Sequence, residues 1–331
     1  MPEIKNIVPA QHLMEFEQPN FDFLLGKNSE EEIIKELQLV SPGISTGYKI
    51  GAIDLSFPGG AVSIIAAPTG HGKTTALINF TLGALERNPD QDAYFFTYEE
   101  SGASILSLFV NSWVNKNLSN KSIGALSKNN RKSIENYFRS GTDEFFTDTL
   151  RSLFKMHKDQ FFQDLINTER LKVFYSDWTA NQLIEAIHFI KNNRPRTGLI
   201  VIDYMQLLKL SNSKISRQEE LKKICLMLKD CAIKTGLPIV LAAQFNRTVV
   251  TESELRSENI GEAGDIERIA SLILGMFNLD TDTTYFKVLK GRSIGKDHQE
   301  FMSFNGNACI LKNRPKASKN YSNSERISFN D

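Results

Sequence analysis

From about residue 46 the chain alternates between short apolar runs and longer stretches with helical periodicity. The runs VSIIAA (62–67), AYFFT (93–97), LKVFY (171–175), LIVID (199–203) and PIVLAA (238–243) are apolar nearly throughout, which predicts central strands buried on both faces. SLILGMF (271–277) and TYFKVL (284–289) read as two further strands. Between them, TANQLIEAIHFIKNN opens with the capping pair Thr179 and Gln182 and is stopped by Pro195. SRQEELKKICLMLKDCAIKTG opens with Ser216 and Glu219, repeats Leu221, Ile224, Cys225, Leu228 and Ala232 on one face, and ends at Gly236 and Pro238. Strands alternating with helices predict an α/β fold with a mostly parallel central sheet flanked by helices. FMSFNGNACIL places Asn305-Gly306 between two runs, the signature of a C-terminal β-hairpin.

Outside this alternation the pattern changes. Residues 1–45 form an N-terminal extension with one helix candidate, SEEEIIKELQLV. Ser29 and Glu32 make its capping box, and Ile33, Ile34, Leu37 and Val40 form a narrow apolar stripe that packs on its own domain or docks on a neighbour. Residues 46–312 form the core domain. Within it, about 101–170 is rich in Asn, Lys, Phe and Ser and reads as a helical insert. Residues 313–331 read as a disordered polar tail; five basic and two acidic residues fall in 312–331.

Composition narrows the function classes. In 331 residues, Lys plus Arg and Asp plus Glu balance at 39 each, so nucleic-acid contacts come from local loops and not from a global basic field. Cys225, Cys231 and Cys309 form no CxxC pair and read as buried thiols of a reducing compartment. The five histidines are scattered, with no metal-ligand spacing, and neither a signal peptide nor a membrane-length apolar run is evident. A cytoplasmic protein without membrane contact is the expectation.

The chemistry concentrates at strand ends. After VSIIA comes APTGHGKTT, Ala67-x-x-x-x-Gly72-Lys73-Thr74, followed by a helical pattern. Strand, glycine turn and helix make a phosphate loop of Pro68, Thr69, Gly70, His71, Gly72, Lys73, Thr74 and Thr75, although Ala67 stands where the strict motif has Gly. Gly70 and Gly72 let the backbone N–H groups turn inward, Lys73 reaches the β- and γ-phosphates, and the Thr74 hydroxyl serves Mg²⁺. His71 reads as a spacer. Asp203, ending LIVID, suits the Mg²⁺ shell. Glu99, ending YFFTYEES, suits a base for the attacking water, with Glu100 the less favoured alternative. Gln244, ending IVLAAQ, suits a γ-phosphate sensor that reports to the polar loop 247–264, which reads as mobile. Lys290 and Arg292 in FKVLKGRSIGK alternate, so both point one way and suit pairing with a neighbour's γ-phosphate. The plain alternatives are a glycine turn, strand-end charges and a solvated basic edge.

The order STGYKIGAIDLSFPGG, APTGHGKTT, FFTYEES, LIVIDYMQLL, IVLAAQFNR, GEAGDIERIASLI, FKVLKGRSIGKDHQEFMSFNG resembles the C-terminal, RecA-like ATPase domain of DnaB-type replicative helicases over about residues 42–312. The resemblance implies a homo-hexameric ring with ATP and Mg²⁺ at subunit interfaces, moving along single-stranded DNA, with a primase or helicase loader as possible partner. By it, Lys73 and Thr74 fall on the P-loop pair, Glu99 on the catalytic glutamate and Asp203 on the Walker B aspartate. Gln244 falls on the sensor, Arg292 on the trans arginine finger and Lys290 on its companion. The stretch at about 210–217 and the segment before GEAGDIE correspond to two pore loops, with Lys209, Lys214, Arg217, Arg247 and Arg256 as candidate phosphate contacts. Only residues 1–45 precede the core, so the family's helical collar is expected to be missing, which points to a phage, plasmid or mobile-element replication system. The helix near 29–40 matches the linker helix that docks on the adjacent subunit. Gly261 departs from the pattern, since a basic residue is expected before EAG. The alternative function is a RecA-like oligomeric ATPase switch that binds DNA or recruits replication proteins without unwinding.

Overall fold

The apolar runs form the middle of a nine-stranded sheet. The computed structural model describes residues 30–118, 130–144, 146–211, 214–261 and 264–314. Its strands are β1 (Ile44–Ile50), β2 (Ile53–Phe57), β3 (Val62–Ala67), β4 (Asp92–Thr97), β5 (Leu171–Tyr175), β6 (Thr197–Asp203), β7 (Ile239–Gln244), β8 (Ala270–Asn278), β9 (Thr283–Gly291), β10 (Gln299–Asn305) and β11 (Ile310–Asn313). The large sheet runs β11-β10-β9-β8-β3-β7-β6-β4-β5, and β1 pairs with β2 in a separate antiparallel ribbon. The pairs from β8 through β5 are parallel, whereas β8–β9, β9–β10 and β10–β11 are antiparallel. Every residue of β3, β4 and β6 is buried, as strands covered on both faces require.

The helices are α1 (Glu30–Leu39), α2 (Lys73–Arg87), α3 (Gly102–Asn117), α4 (Asn130–Ser140), α5 (Asp148–Phe161), α6 (Ala180–Asn193), α7 (Arg217–Thr235) and α8 (Gly264–Ile269). Two apolar clusters lie against the sheet. One joins β1, β2, α2, α3 and the aromatic residues of α5; the other joins α6 and α7. The predicted capping boxes Thr179/Gln182 and Ser216/Glu219 are both formed, and Gly236 ends α7 in the left-handed region at φ 69°. Contacts divide the chain into Met1–Gln38 and Leu39–Asp331. The described part of the first body is helical, and Ile34 and Leu37 of α1 are exposed.

The structure corrects several expectations. LKVFY is the edge strand β5 and is buried fully only at Leu171. The Asn305-Gly306 hairpin is real, but its turn holds four residues, because Asn305 pairs with Ile310. Asn305 Oδ1 accepts from the Ala308 N–H (2.9 Å), and it is Cys309, not the Asn-Gly pair, that takes positive φ. The helical insert is the β4-to-β5 crossover, with α3, α4 and α5 among the described residues. Ser29, residues 119–129, positions 212–213 and 262–263 of the candidate DNA loops, and the tail beyond Arg314 lie outside the described residues.

Candidate active site

Four adjacent strands, β3, β7, β6 and β4, run parallel and end side by side. Their last residues are Ala67, Gln244, Asp203 and Thr97. The sheet therefore gathers, along one edge, groups separated by up to 177 positions in sequence; in such sheets ligands bind at the carboxyl ends of the strands.

The phosphate loop leaves β3 and enters α2. Gly70 and Gly72 sit at φ 78° and 79°, where a side chain is strained, and a Cβ on Gly72 would lie 2.5 Å from the Phe304 ring. No side chain caps α2. Its first-turn N–H groups thus stay available to an anion at the positive end of the helix. Lys73 Nζ lies over the Tyr204 ring, 4.4 Å from its centroid. Burial pushes the Lys73 pKa down, and Asp203 and Glu99 act against that shift.

Thr74 Oγ1 donates to Asp203 Oδ2 at 2.7 Å. Asp203 is 2 % exposed, and its Oδ1 has no hydrogen-bond partner. Burial raises its pKa, opposed by the Thr74 hydrogen bond and Lys73. A buried carboxylate oxygen without a partner, beside a hydroxyl and an ammonium, fits a divalent ion carried on a nucleotide. No group of three or more His, Cys, Asp or Glu among the described residues suits a metal ion by itself.

The two glutamates after β4 differ. Glu99 is exposed and makes no hydrogen bond or ion pair. Glu100 is engaged: Ser104 Oγ donates to its Oε2 at 2.5 Å, and Arg131 lies 3.6 Å away. Gln244 Nε2 donates to Thr69 Oγ1, tying the end of β7 to the phosphate loop.

Lys290 and Arg292 are not part of this cluster. Because β9 runs antiparallel to β8, its end points away from the phosphate loop; Gly291 pairs with Leu272, which is level with Ser63 near the start of β3. Strand spacing and rise put Arg292 on the order of 20 Å from the loop of its own chain, beyond the reach of its side chain. Lys290 Nζ donates to the Glu267 carbonyl, while Arg292 is exposed on the turn after β9.

Sequence reasoning counted His71 in the loop as a spacer and missed what its side chain does. Its ring packs on Phe277 at 4.3 Å, and Nδ1 accepts from the Asn278 N–H at 3.0 Å, so the side chain pins the loop to the end of β8. Burial lowers its pKa. Next to it, Asn278, Asp280, Asp282, Phe304, Asn305 and Asn307 line a cavity of about 610 Å³. Only Tyr204, directly after the strand-end aspartate, carried a local signal; His71 and Phe304 needed the fold.

Residues 43–319 match the family model described as DnaB-like helicase C terminal domain. The chain belongs to this DnaB-like family. It is 27% identical over 266 residues to the replicative DNA helicase DnaB of Mycoplasma genitalium, covering 77% of this chain and 51% of that protein. It is 24% identical to that of Helicobacter pylori strain 26695, covering 71% and 43%. The chain thus spans about half the length of these curated relatives. A solved structure described as an ATPase domain superposes with a TM-score of 0.65 at 15% identity, over 90% of this chain and all of that one. A structure of a DnaB-like replicative helicase, described with its interactions with primase, gives 0.66 at 14%, over 88% and 68%. These likenesses show the RecA-like ATPase fold.

For this DnaB-like chain, the five candidate DNA cations are not equivalent. Lys209, Lys214 and Arg247 are exposed and make no side-chain hydrogen bond or ion pair. Arg217 holds Glu220 (2.5 Å) and the Gln206 carbonyl (2.9 Å), and Arg256 faces Glu258 (3.5 Å). The described part of the 247–264 loop is folded and not open: Val249, Leu255 and Ile260 are buried, Thr251 and Glu254 form a capping box, and Phe245 bridges Ile260. At Gly261, which departs from the expected basic residue, a Cβ would lie 3.2 Å from the Gln244 carbonyl oxygen, so a larger residue there would press on the end of β7.

Proposed function

We propose that this chain is the motor of an ATP-driven DNA helicase that acts in the cytoplasm as a homo-hexameric ring and moves along single-stranded DNA during replication. The observation that carries the reading is the split of the hydrolytic groups: Lys73, Thr74, Asp203 and Glu99 gather at one end of the sheet, while Arg292 lies at the other. A ring of identical copies joins the two ends.

The residues present fit ATP with Mg²⁺. The loop N–H groups and Lys73 hold the β- and γ-phosphates, and Thr74 with the unpartnered Asp203 Oδ1 serves the ion, which when bound neutralises phosphate charge. Glu99, free of other partners, orients a water in line with the γ-phosphate and takes its proton on the carboxylate. Arg292 of the neighbouring copy, with Lys290 beside it, stabilises the charge that develops on the transferred group. Gln244, bonded to Thr69 and preceding the 247–264 loop, passes loss of the γ-phosphate to that loop. Lys209, Lys214 and Arg247 supply free cations to the DNA backbone, with Arg217 and Arg256 acting through their ion pairs. The exposed Ile34 and Leu37 of α1 suit docking on an adjacent copy, and a primase or loader is a further partner.

Measuring ATP turnover with and without single-stranded DNA, and unwinding of a forked duplex, tests the reading. Stimulated turnover with strand separation is expected. An intact oligomer without either supports instead a RecA-like ATPase switch that recruits replication proteins, a reading favoured by the internal engagement of Arg217 and by Gly261.

A further inference from the structure

The β4-to-β5 crossover returns a cation to the phosphate loop. Arg131, in the first turn of α4, places Nη2 3.6 Å from Glu100 Oε2 and Nε 3.0 Å from Glu135 Oε1. Glu100 follows the free Glu99 and belongs to the carboxylates whose charge acts on Asp203. The same guanidinium acts on the buried Cys309 thiol, whose Sγ lies 3.8 Å from Thr75 Oγ1 in the first turn of α2. Arg131 therefore flanks the mouth of the loop.

Three carboxylates gather there: Glu99, Glu100 and Asp203. Lys73 is the cation among them, and a polyphosphate would enter against their combined field. The Arg131 and Glu100 side chains are 45% and 36% exposed, so their pairing adds little to the stability of the fold. Its consequence is the charge presented to an anion. We propose that Arg131 is a positioning residue of the nucleotide site: it neutralises Glu100, so that the polyphosphate meets one free glutamate, Glu99, instead of two. This rests on the phosphate loop being the nucleotide site. It gives the crossover a role at that site and explains why consecutive glutamates are tolerated beside it.

The test is titration of a fluorescent ATP analogue with Mg²⁺ into wild type, Arg131→Ala, Arg131→Lys, Glu100→Gln and the Arg131→Ala/Glu100→Gln double variant, with thermal melts alongside. Arg131→Ala is expected to weaken binding about fivefold to twentyfold, ~1–2 kcal/mol, and the lysine variant to recover most of it. The double variant should return to within about twofold of wild type, because the unpaired charge is gone, and the Arg131→Ala defect should shrink at high salt. Unchanged binding in Arg131→Ala, or a double variant as weak as the single, overturns the proposal. Should Arg131→Ala not fold, Glu100→Gln decides: binding as tight as wild type or tighter supports it, and weaker binding contradicts it. Wild type that binds no nucleotide overturns the site assignment and this proposal together; wild-type binding with an unaffected Arg131→Ala sinks this proposal alone.

Discussion

The two ends of the central sheet are built differently. At the carboxyl end of the parallel strands, polar groups from separate elements hold one another: Thr74 to Asp203, Thr69 to Gln244, His71 to Asn278. At the other end, Arg292 stands exposed on a turn. The first arrangement is preorganised and already carries desolvation costs, visible in the shifted pKa values of Lys73 and Asp203. The second is a charge without an internal task. On the proposed reading, one end binds the nucleotide and lacks a cation for hydrolysis, which the other end of a neighbouring copy supplies.

Removing the cation of the first end should have the largest effect. Lys73→Ala is expected to lower ATP turnover about a hundredfold or more. Its melting temperature should stay within a few degrees, because burial disfavours the ammonium in the free protein. Turnover near the wild-type rate would mean that the loop is not the site.

Asp203→Asn separates stability from function. The folded-state pKa of Asp203 is raised, so its favourable contribution is full below the ordinary carboxylate value of about 4 and is lost as pH rises through the raised one. At pH 7 without nucleotide, the neutral variant should therefore melt at or above the wild-type temperature. Stabilisation by saturating Mg²⁺-ATP, about 2–3 kcal/mol at a hundredfold excess over Kd, should be largely lost. A variant that melts lower and still gains full stabilisation would place the ion elsewhere.

A smaller effect belongs to His71. Its Nδ1 accepts a hydrogen bond and its pKa is lowered, so the neutral ring supports the fold above the free value of about 6.5, and that support fades as pH falls toward the folded value. His71→Leu should cost ~1 kcal/mol at pH 7.5, by leaving the Asn278 N–H unpaired, and should flatten the fall in stability below pH 6.5. Urea denaturation at several pH values reads both; an unchanged pH slope would make His71 a spacer after all.

How much of this was legible follows from the range of each signal. The apolar runs announced β3, β4, β6 and β7 because burial on both faces leaves few polar positions between the strand ends, and the capping boxes at Thr179 and Ser216 announced α6 and α7 because capping is local. The ribbon β1–β2 escaped notice although Ile44, Thr46, Tyr48 and Ile50 alternate into the core; a threonine and Gly47 dilute that alternation. LKVFY looked central because edge and centre differ only in neighbours, which the sequence does not display. The phosphate loop, Asp203 and Gln244 stood at readable strand ends. The anchoring role of the His71 side chain and the place of Arg131 beside the site were invisible, since their partners Asn278 and Glu100 are brought to them by the sheet and by the crossover.

Mixing tests the central claim, that hydrolysis takes one group from each end of the sheet in different copies. Arg292→Ala alone should bind nucleotide and fail to turn it over, and Glu99→Ala alone should fail likewise. Mixed in one oligomer, the two variants should regain part of the wild-type rate, because some interfaces pair an intact Glu99 with an intact Arg292. A mixture that exchanges subunits and stays as inactive as its parts would contradict the split site.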